Sequence, residues 1–189
     1  RTLQGKDYHV LALIGDGASA ALVSRAGSVD WLCRPRFDSP ATFAALLGTP
    51  AQGRWRIAPR AAEPRVQRAY RGDSLVLETR FILPEGEVAL TDFLVAPGSA
   101  LVRLVEGRRG CVTLGFDCAP RFDYGACRPQ VLPCADGLVF VAGDERLLLH
   151  GATQPAFSFS LSVGDRRAFV LGPEGTALDP EAALERTLA

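Results

Sequence analysis

Methionine is absent from all 189 residues, position 1 included, and lysine occurs once, at Lys6, so arginine carries nearly all the basic charge. The missing start residue reads as a fragment or a processed N-terminus, and the arginine bias as genome composition. Histidine is nearly absent too, with only His9 and His150, and the five cysteines (Cys33, Cys111, Cys118, Cys127 and Cys134) include no C-x-x-C pair. Structural zinc needs four closely spaced thiolate or imidazole ligands, so no metal site is expected; Cys111 to Cys134 cluster in sequence, and the sequence leaves a disulfide among them open. Acidic and basic residues balance at 21 each with no run of five like charges, which removes the electrostatic case for nucleic acid or an anionic membrane as partner. No apolar run approaches the roughly 20 residues of a spanning helix and no signal peptide is present, so the expectation is a soluble cytoplasmic protein. There is no G-x-S-x-G and little histidine to serve as base, which argues against a serine triad. Gly15-Asp16-Gly17 lacks the third glycine of a dinucleotide fingerprint and leads into a strand, so no cofactor is expected.

What is present is apolar residue in short, turn-bounded runs. At 48% hydrophobic, the chain can bury a core as one domain, with or without an appendage. Residues 14 to 48 are the densest stretch. Ser19 to Ser24 and Ser28 to Cys33 predict a hairpin around Arg25-Ala26-Gly27, and the polar loop Arg34-Pro35-Arg36-Phe37-Asp38 follows. Ser39 as N-cap and Pro40 as first helical residue then predict a short helix over Ala41 to Leu47, stopped by Gly48.

Further strands are read at Tyr8 to Ile14, Gly53 to Ala58, Arg65 to Arg71, Ser74 to Leu83, Glu87 to Val95, Leu101 to Glu106, Cys111 to Cys118, Leu138 to Ala142, Glu145 to His150 and Arg167 to Leu171. In Phe157 to Val163, apolar side chains alternate with serines, which places them on opposite faces of a sheet. A helix is predicted over Glu181 to Ala189, with Leu184 and Leu188 on one stripe. Short strands joined by Gly- and Pro-rich turns, without alternating β and α units, argue for an all-β, antiparallel β-sandwich.

Two loops echo each other, Arg36-Phe37-Asp38 and Arg121-Phe122-Asp123. Two readings stand. Each loop presents an aromatic plate flanked by opposite charges, suited to a sugar face or a protein interface, or else both phenylalanines are core residues and Arg36 pairs with Asp38. Trp55, Tyr70 and Tyr124 are the candidates for stacking on sugar. Glycoside hydrolysis needs two carboxyl groups roughly 5–10 Å apart, and Asp30, Asp38, Asp92 and Asp123 qualify by residue type alone.

The motifs Leu13-Ile14-Gly15-Asp16-Gly17, Gly27-Ser28-Val29-Asp30-Trp31-Leu32-Cys33, Pro35-Arg36-Phe37-Asp38-Ser39-Pro40, Tyr70-Arg71-Gly72-Asp73, Thr91-Asp92-Phe93, Leu101-Val102-Arg103 and Pro120-Arg121-Phe122-Asp123-Tyr124-Gly125 together resemble the N-terminal domain of bacterial glucoamylase-, glucodextranase- and trehalase-like enzymes of glycoside hydrolase family 15. The resemblance implies a large sandwich, or supersandwich, over residues 1–175 with one short internal helix, and the start of a helical linker over 176–189. It further implies an (α/α)6-barrel beyond the linker, carrying the catalytic glutamates. On this reading the chain has no catalytic residue. It packs against that barrel and helps to shape the rim of a site for α-glucan or trehalose through Arg36, Phe37, Asp38, Arg121, Phe122 and Asp123. The alternative is an independent carbohydrate-binding module for α-glucans.

Overall fold

The structure, a computed structural model, describes residues 11–61, 63–96, 98–176 and 178–189, and among them it contains fourteen strands and one α-helix. Two antiparallel sheets share one long strand. The first sheet comprises β1 (Ala12–Gly15), β2 (Ala20–Val23), β3 (Ser28–Cys33), β4 (Ala41–Phe43) and β5 (Arg54–Pro59), the C-terminal half of β9 (Ala100–Ala119), and β13 (Ala156–Ser162). The second runs β6 (Arg65–Tyr70), β7 (Leu77–Ile82), β8 (Gly86–Val95), the N-terminal half of β9, β14 (Arg166–Pro173), β12 (Glu145–His150), β11 (Gly137–Ala142) and β10 (Gln130–Cys134).

Sequence reading splits β9 in two because Gly107 and Gly110 resemble a turn. The strand instead runs on and changes sheets. At Gly110 φ is +60°, and a Cβ there would lie 1.9 Å from the Glu85 carbonyl oxygen, so only glycine allows this passage beside β8. β10 is missed for another reason: it is an exposed edge strand containing Pro133, a residue that argues against strand except at an edge.

The two inner faces close on a single apolar core that includes Ile14, Leu32, Phe43, Trp55, Ile57, Phe81, Leu90, Phe116, Phe140 and Phe169. Within it sits one ion pair. Asp92 on β8 and Arg103 on β9 are direct cross-strand partners, and both side chains are wholly buried. Arg103 Nε donates to Asp92 Oδ1 at 2.8 Å and Nη2 to Oδ2 at 3.2 Å. The same guanidinium crosses the sandwich to donate to the carbonyls of Trp55 (2.6 Å) and Gly27 (2.9 Å), and it lies 5.2 Å from the centroid of the Trp55 ring. Thr91-Asp92-Phe93 and Leu101-Val102-Arg103, two motifs that carry the family resemblance, are thus a polar clamp between the sheets.

The outer face of the second sheet forms a smaller core, where α1 (Pro180–Leu188) covers Val76, Phe93, Ala100, Val102 and Val170 with Leu178, Ala183 and Leu184. Asp179 caps this helix through Oδ1, which accepts from Glu181 N and Ala182 N. Leu188, expected to share the apolar stripe, is exposed instead.

The helix expected over Ala41 to Leu47 is corrected. Ala41–Phe43 pairs with β3, with Leu32 opposite Phe43 and Cys33 opposite Ala41, and only Ala45–Leu47 makes a 3-10 turn. Ser39 does not cap it, because its Oγ accepts from Arg36 N inside the preceding loop. Burying Phe43 completely in the sandwich core outweighs a local capping signal. Of the first expected strand, residues 8–10 lie outside the described residues. Among the described residues, no helix is long and apolar enough to cross a membrane.

Candidate functional site

The loop after β3 is held from beneath by a half-buried polar cluster. Arg34 turns inward, donating from Nε to the Ser99 carbonyl (3.0 Å) and from Nη2 to the Gly98 carbonyl (2.7 Å). Burial lowers its pKa to about 10, against the opposing influence of Glu145 and Asp16. Asp16 completes the cluster: Oδ1 accepts from Ala18 N (3.0 Å) and Ser19 N (2.9 Å), and Oδ2 accepts from Ser99 Oγ (2.8 Å). The Gly15-Asp16-Gly17 turn is thus an Asp-anchored brace. Ser19 Oγ donates in turn to the Cys33 carbonyl.

On this base stands an exposed tip. Phe37 N donates to the Ala18 carbonyl at 2.9 Å, which fixes the backbone, yet Phe37 is 67% exposed. Arg36 Nε and Asp38 Oδ1 pair at 2.9 Å across it, both largely in solvent. The Arg36 hydrogen bond holds the Asp38 carboxyl below its ordinary value, and Asp38 raises Arg36. The two sequence readings are therefore mixed here, with Arg36 paired to Asp38 but Phe37 outside the core.

The second loop is different. Arg121 N donates to the Thr42 carbonyl (2.9 Å) and Tyr124 N to the Ala41 carbonyl (3.1 Å), so the loop hangs from β4. Phe122 is 4% exposed and belongs to the main core, so it presents no plate, a correction to the expected symmetry. Asp123 and Tyr124 both adopt positive φ, at 52° and 56°, and this turn puts Tyr124 outside, 45% exposed and 6.1 Å from the ring of Trp31. Arg121 is partly buried. Its pKa falls through burial and the like charge of Arg128, and its Nε has no partner among the described residues.

The two loops meet on a cavity of about 270 Å3 lined by Arg34, Pro35, Thr42, Phe122 and Glu145. Trp55 has no exposed surface, so it cannot stack on a sugar; the core and the Arg103 clamp claim it. Tyr70 keeps a partly exposed ring, but its hydroxyl donates to the Leu13 carbonyl and accepts from Leu13 N.

The carboxylates picked by residue type have separate occupations. Asp30 accepts from Ser28 Oγ at 2.6 Å, Asp38 pairs with Arg36, Asp92 is locked to Arg103, and Asp123 serves a turn. What the site offers chemically is contact: an exposed aromatic ring and an ion pair on a braced loop, and on the second loop the exposed Tyr124 beside Trp31. Sequence reasoning missed Arg34 and Ser99. Arg34 lay inside a recognised motif, whereas Ser99 gave no signal of its own.

The profile of a family described as "Trehalase-like, N-terminal" matches residues 4–168. Among curated proteins, trehalase 1 of Sulfolobus acidocaldarius is 36% identical over 131 residues, covering 69% of this chain and 22% of that protein. Trehalase 2 of the same organism is 28% identical over 163 residues (84% and 27%), and the trehalase of Mycobacterium tuberculosis is 33% identical over 134 residues (60% and 20%). The chain thus spans only about a quarter of the length of the relatives it matches. No solved structure matches it. With most of its length under one family profile and the two-sheet architecture that the motifs implied, the chain belongs to the trehalase-like N-terminal domain family.

Proposed function

We propose that this chain is the non-catalytic N-terminal domain of an inverting α-glucoside hydrolase, and that residues 34–39 are its contact with an (α/α)6-barrel carrying the catalytic carboxylates. The observation that carries the reading is Phe37, 67% exposed at the tip of a loop whose base is fixed by Arg34, Asp16 and Ser99. An exposed aromatic on a rigid loop is what a contact residue requires, since little conformational entropy is lost when it is covered. The relatives named above are trehalases, which favours trehalose over starch oligosaccharides or dextran as the substrate of the longer protein.

The test uses the full-length enzyme. Phe37→Ala should lower kcat/KM roughly 5- to 30-fold, the equivalent of one apolar contact worth about 1–2 kcal/mol. The thermal midpoint of the 189-residue chain should stay unchanged. An equal loss of stability in the isolated chain would refute the contact role. The isolated chain should release no glucose from trehalose or maltooligosaccharides, and any release would refute the non-catalytic reading.

A second reading, an α-glucan-binding surface, is favoured by one observation, the exposed Tyr124 ring beside the partly exposed Trp31. Saturable binding of maltoheptaose, abolished by Tyr124→Ala, is its signature.

A further inference from the structure

A larger cleft, of about 850 Å3, opens between the β2–β3 turn, β5 with the loop that follows it, β6 and β13. Three guanidinium groups line it: Arg25, Arg56 and Arg60. The lining also includes the half-buried Phe157, whose ring stacks on Phe116 with centroids 4.6 Å apart.

Among the described residues, two of these cations are tethered by neutral acceptors alone. Arg25 Nη2 donates to the Val66 carbonyl at 2.8 Å, and Arg60 Nη1 donates to Ser158 Oγ at 2.7 Å. The Arg56 guanidinium makes no hydrogen bond and no ion pair among the described residues, although Arg56 stands opposite Asp117 in the sheet. Among the described residues, neither carboxylate lining the cleft forms an ion pair with any of the three. Asp117 pairs with Arg54 at 3.2 Å, and Glu63, which also lines the cleft, forms no ion pair among the described residues. Burial and the like charge of Arg54 lower the Arg56 pKa, against the pull of Asp117.

A partly desolvated cation beside another cation is stabilised by an anion, and free guanidinium forks match the two oxygens of a carboxylate or phosphoester. The volume lies within the range of roughly 300–1,000 Å3 typical of small-molecule sites and exceeds what one inorganic ion fills. We propose that this cleft binds a small organic oxyanion, a carboxylate or phosphoester whose head lies among Arg25, Arg56 and Arg60 and whose apolar body lies against Phe157.

The experiment titrates the 189-residue chain by calorimetry at low ionic strength with benzoate, phenyl phosphate and sodium sulfate. At least one of the two aromatic anions should saturate with a Kd below roughly 1 mM, and sulfate should bind about tenfold more weakly or worse. The order of benzoate and phenyl phosphate identifies the head group. Arg56→Gln should weaken the better ligand at least about tenfold without lowering the thermal midpoint, with Arg56→Lys between. Arg60→Gln gives the same readout should the first variant fold poorly, and Arg36→Gln should change nothing. Absence of saturation with both aromatic anions, sulfate binding as tightly as either, or wild-type affinity in Arg56→Gln each overturns the proposal. The residues are distinct from the 34–39 loop, so this result and the test of Phe37 are independent.

Discussion

Replacing Asp92 with Asn would remove one charge from the interior of the sandwich while keeping the shape of the side chain. Arg103 would then remain in a site with no solvent exposure, still bonded to the Trp55 and Gly27 carbonyls but without its counterion. Breaking a buried pair by removing one partner costs about 3–5 kcal/mol, because the surviving charge keeps its desolvation penalty. For a domain of this size each kcal/mol corresponds to about 2–4 °C, so the midpoint should fall by roughly 6–20 °C. Circular dichroism melts and urea titrations at neutral pH measure both quantities. The double variant Asp92→Leu/Arg103→Met removes both charges together, and it should lose much less than the sum of Asp92→Leu and Arg103→Met alone. A loss below about 1 kcal/mol in Asp92→Asn, or simple additivity in the cycle, would refute the idea that this pair holds the two sheets together.

Other outcomes follow from the same geometry. Phe43→Ala should cost about 3–5 kcal/mol, as a buried strand residue does, whereas Leu47→Ala on the exposed 3-10 turn should change stability by less than about 0.5 kcal/mol; equal effects in urea unfolding would restore the short-helix reading of Ala41 to Leu47. Gly27→Ala should destabilise strongly, since φ is +69° and its Cβ would lie 2.2 Å from the Ile57 carbonyl oxygen, and a wild-type melt would contradict the close approach. Burial raises the thiol pKa of Cys33, against a hydrogen bond with Trp31, and raises that of Cys118 further, whereas Cys111, Cys127 and Cys134 are exposed. Iodoacetamide at pH 8 should therefore label those three rapidly, with Cys33 and Cys118 reacting only after denaturation, as peptide mass spectrometry would report.

Much of the candidate site was legible as a segment but not as a geometry. Residues 34–39 stood out through charge, proline and an exposed-looking phenylalanine. The echo at 121–123 suggested an equivalent partner, yet Phe122 is in the core and Tyr124, two residues on, is the ring at the surface. Sequence similarity of two loops does not determine side-chain direction, because positive φ at Asp123 and Tyr124 reverses which residue faces out. Ser99 shows the same limit. Its role comes from approaching Asp16 and Arg34 across more than sixty residues of chain, a contact that local pattern cannot encode.

By itself the sequence determined the all-β class, the hairpin at Arg25-Ala26-Gly27, the β6–β7–β8 meander, the alternation along Phe157 to Leu161, though not the exposed Val163 beyond the strand, and the Asp-capped terminal helix. Each depends on turn chemistry, side-chain period or capping among residues close in the chain. Only the tertiary structure decided that β9 passes from one sheet to the other, that Ala41–Phe43 is a strand, and that Asp92 and Arg103 form a clamp instead of a surface pair. It also decided that Phe37 stands outside while Trp55 is enclosed. These features are set by burial and by hydrogen bonds between residues far apart in the chain, whose energies exceed the local preferences that a sequence displays.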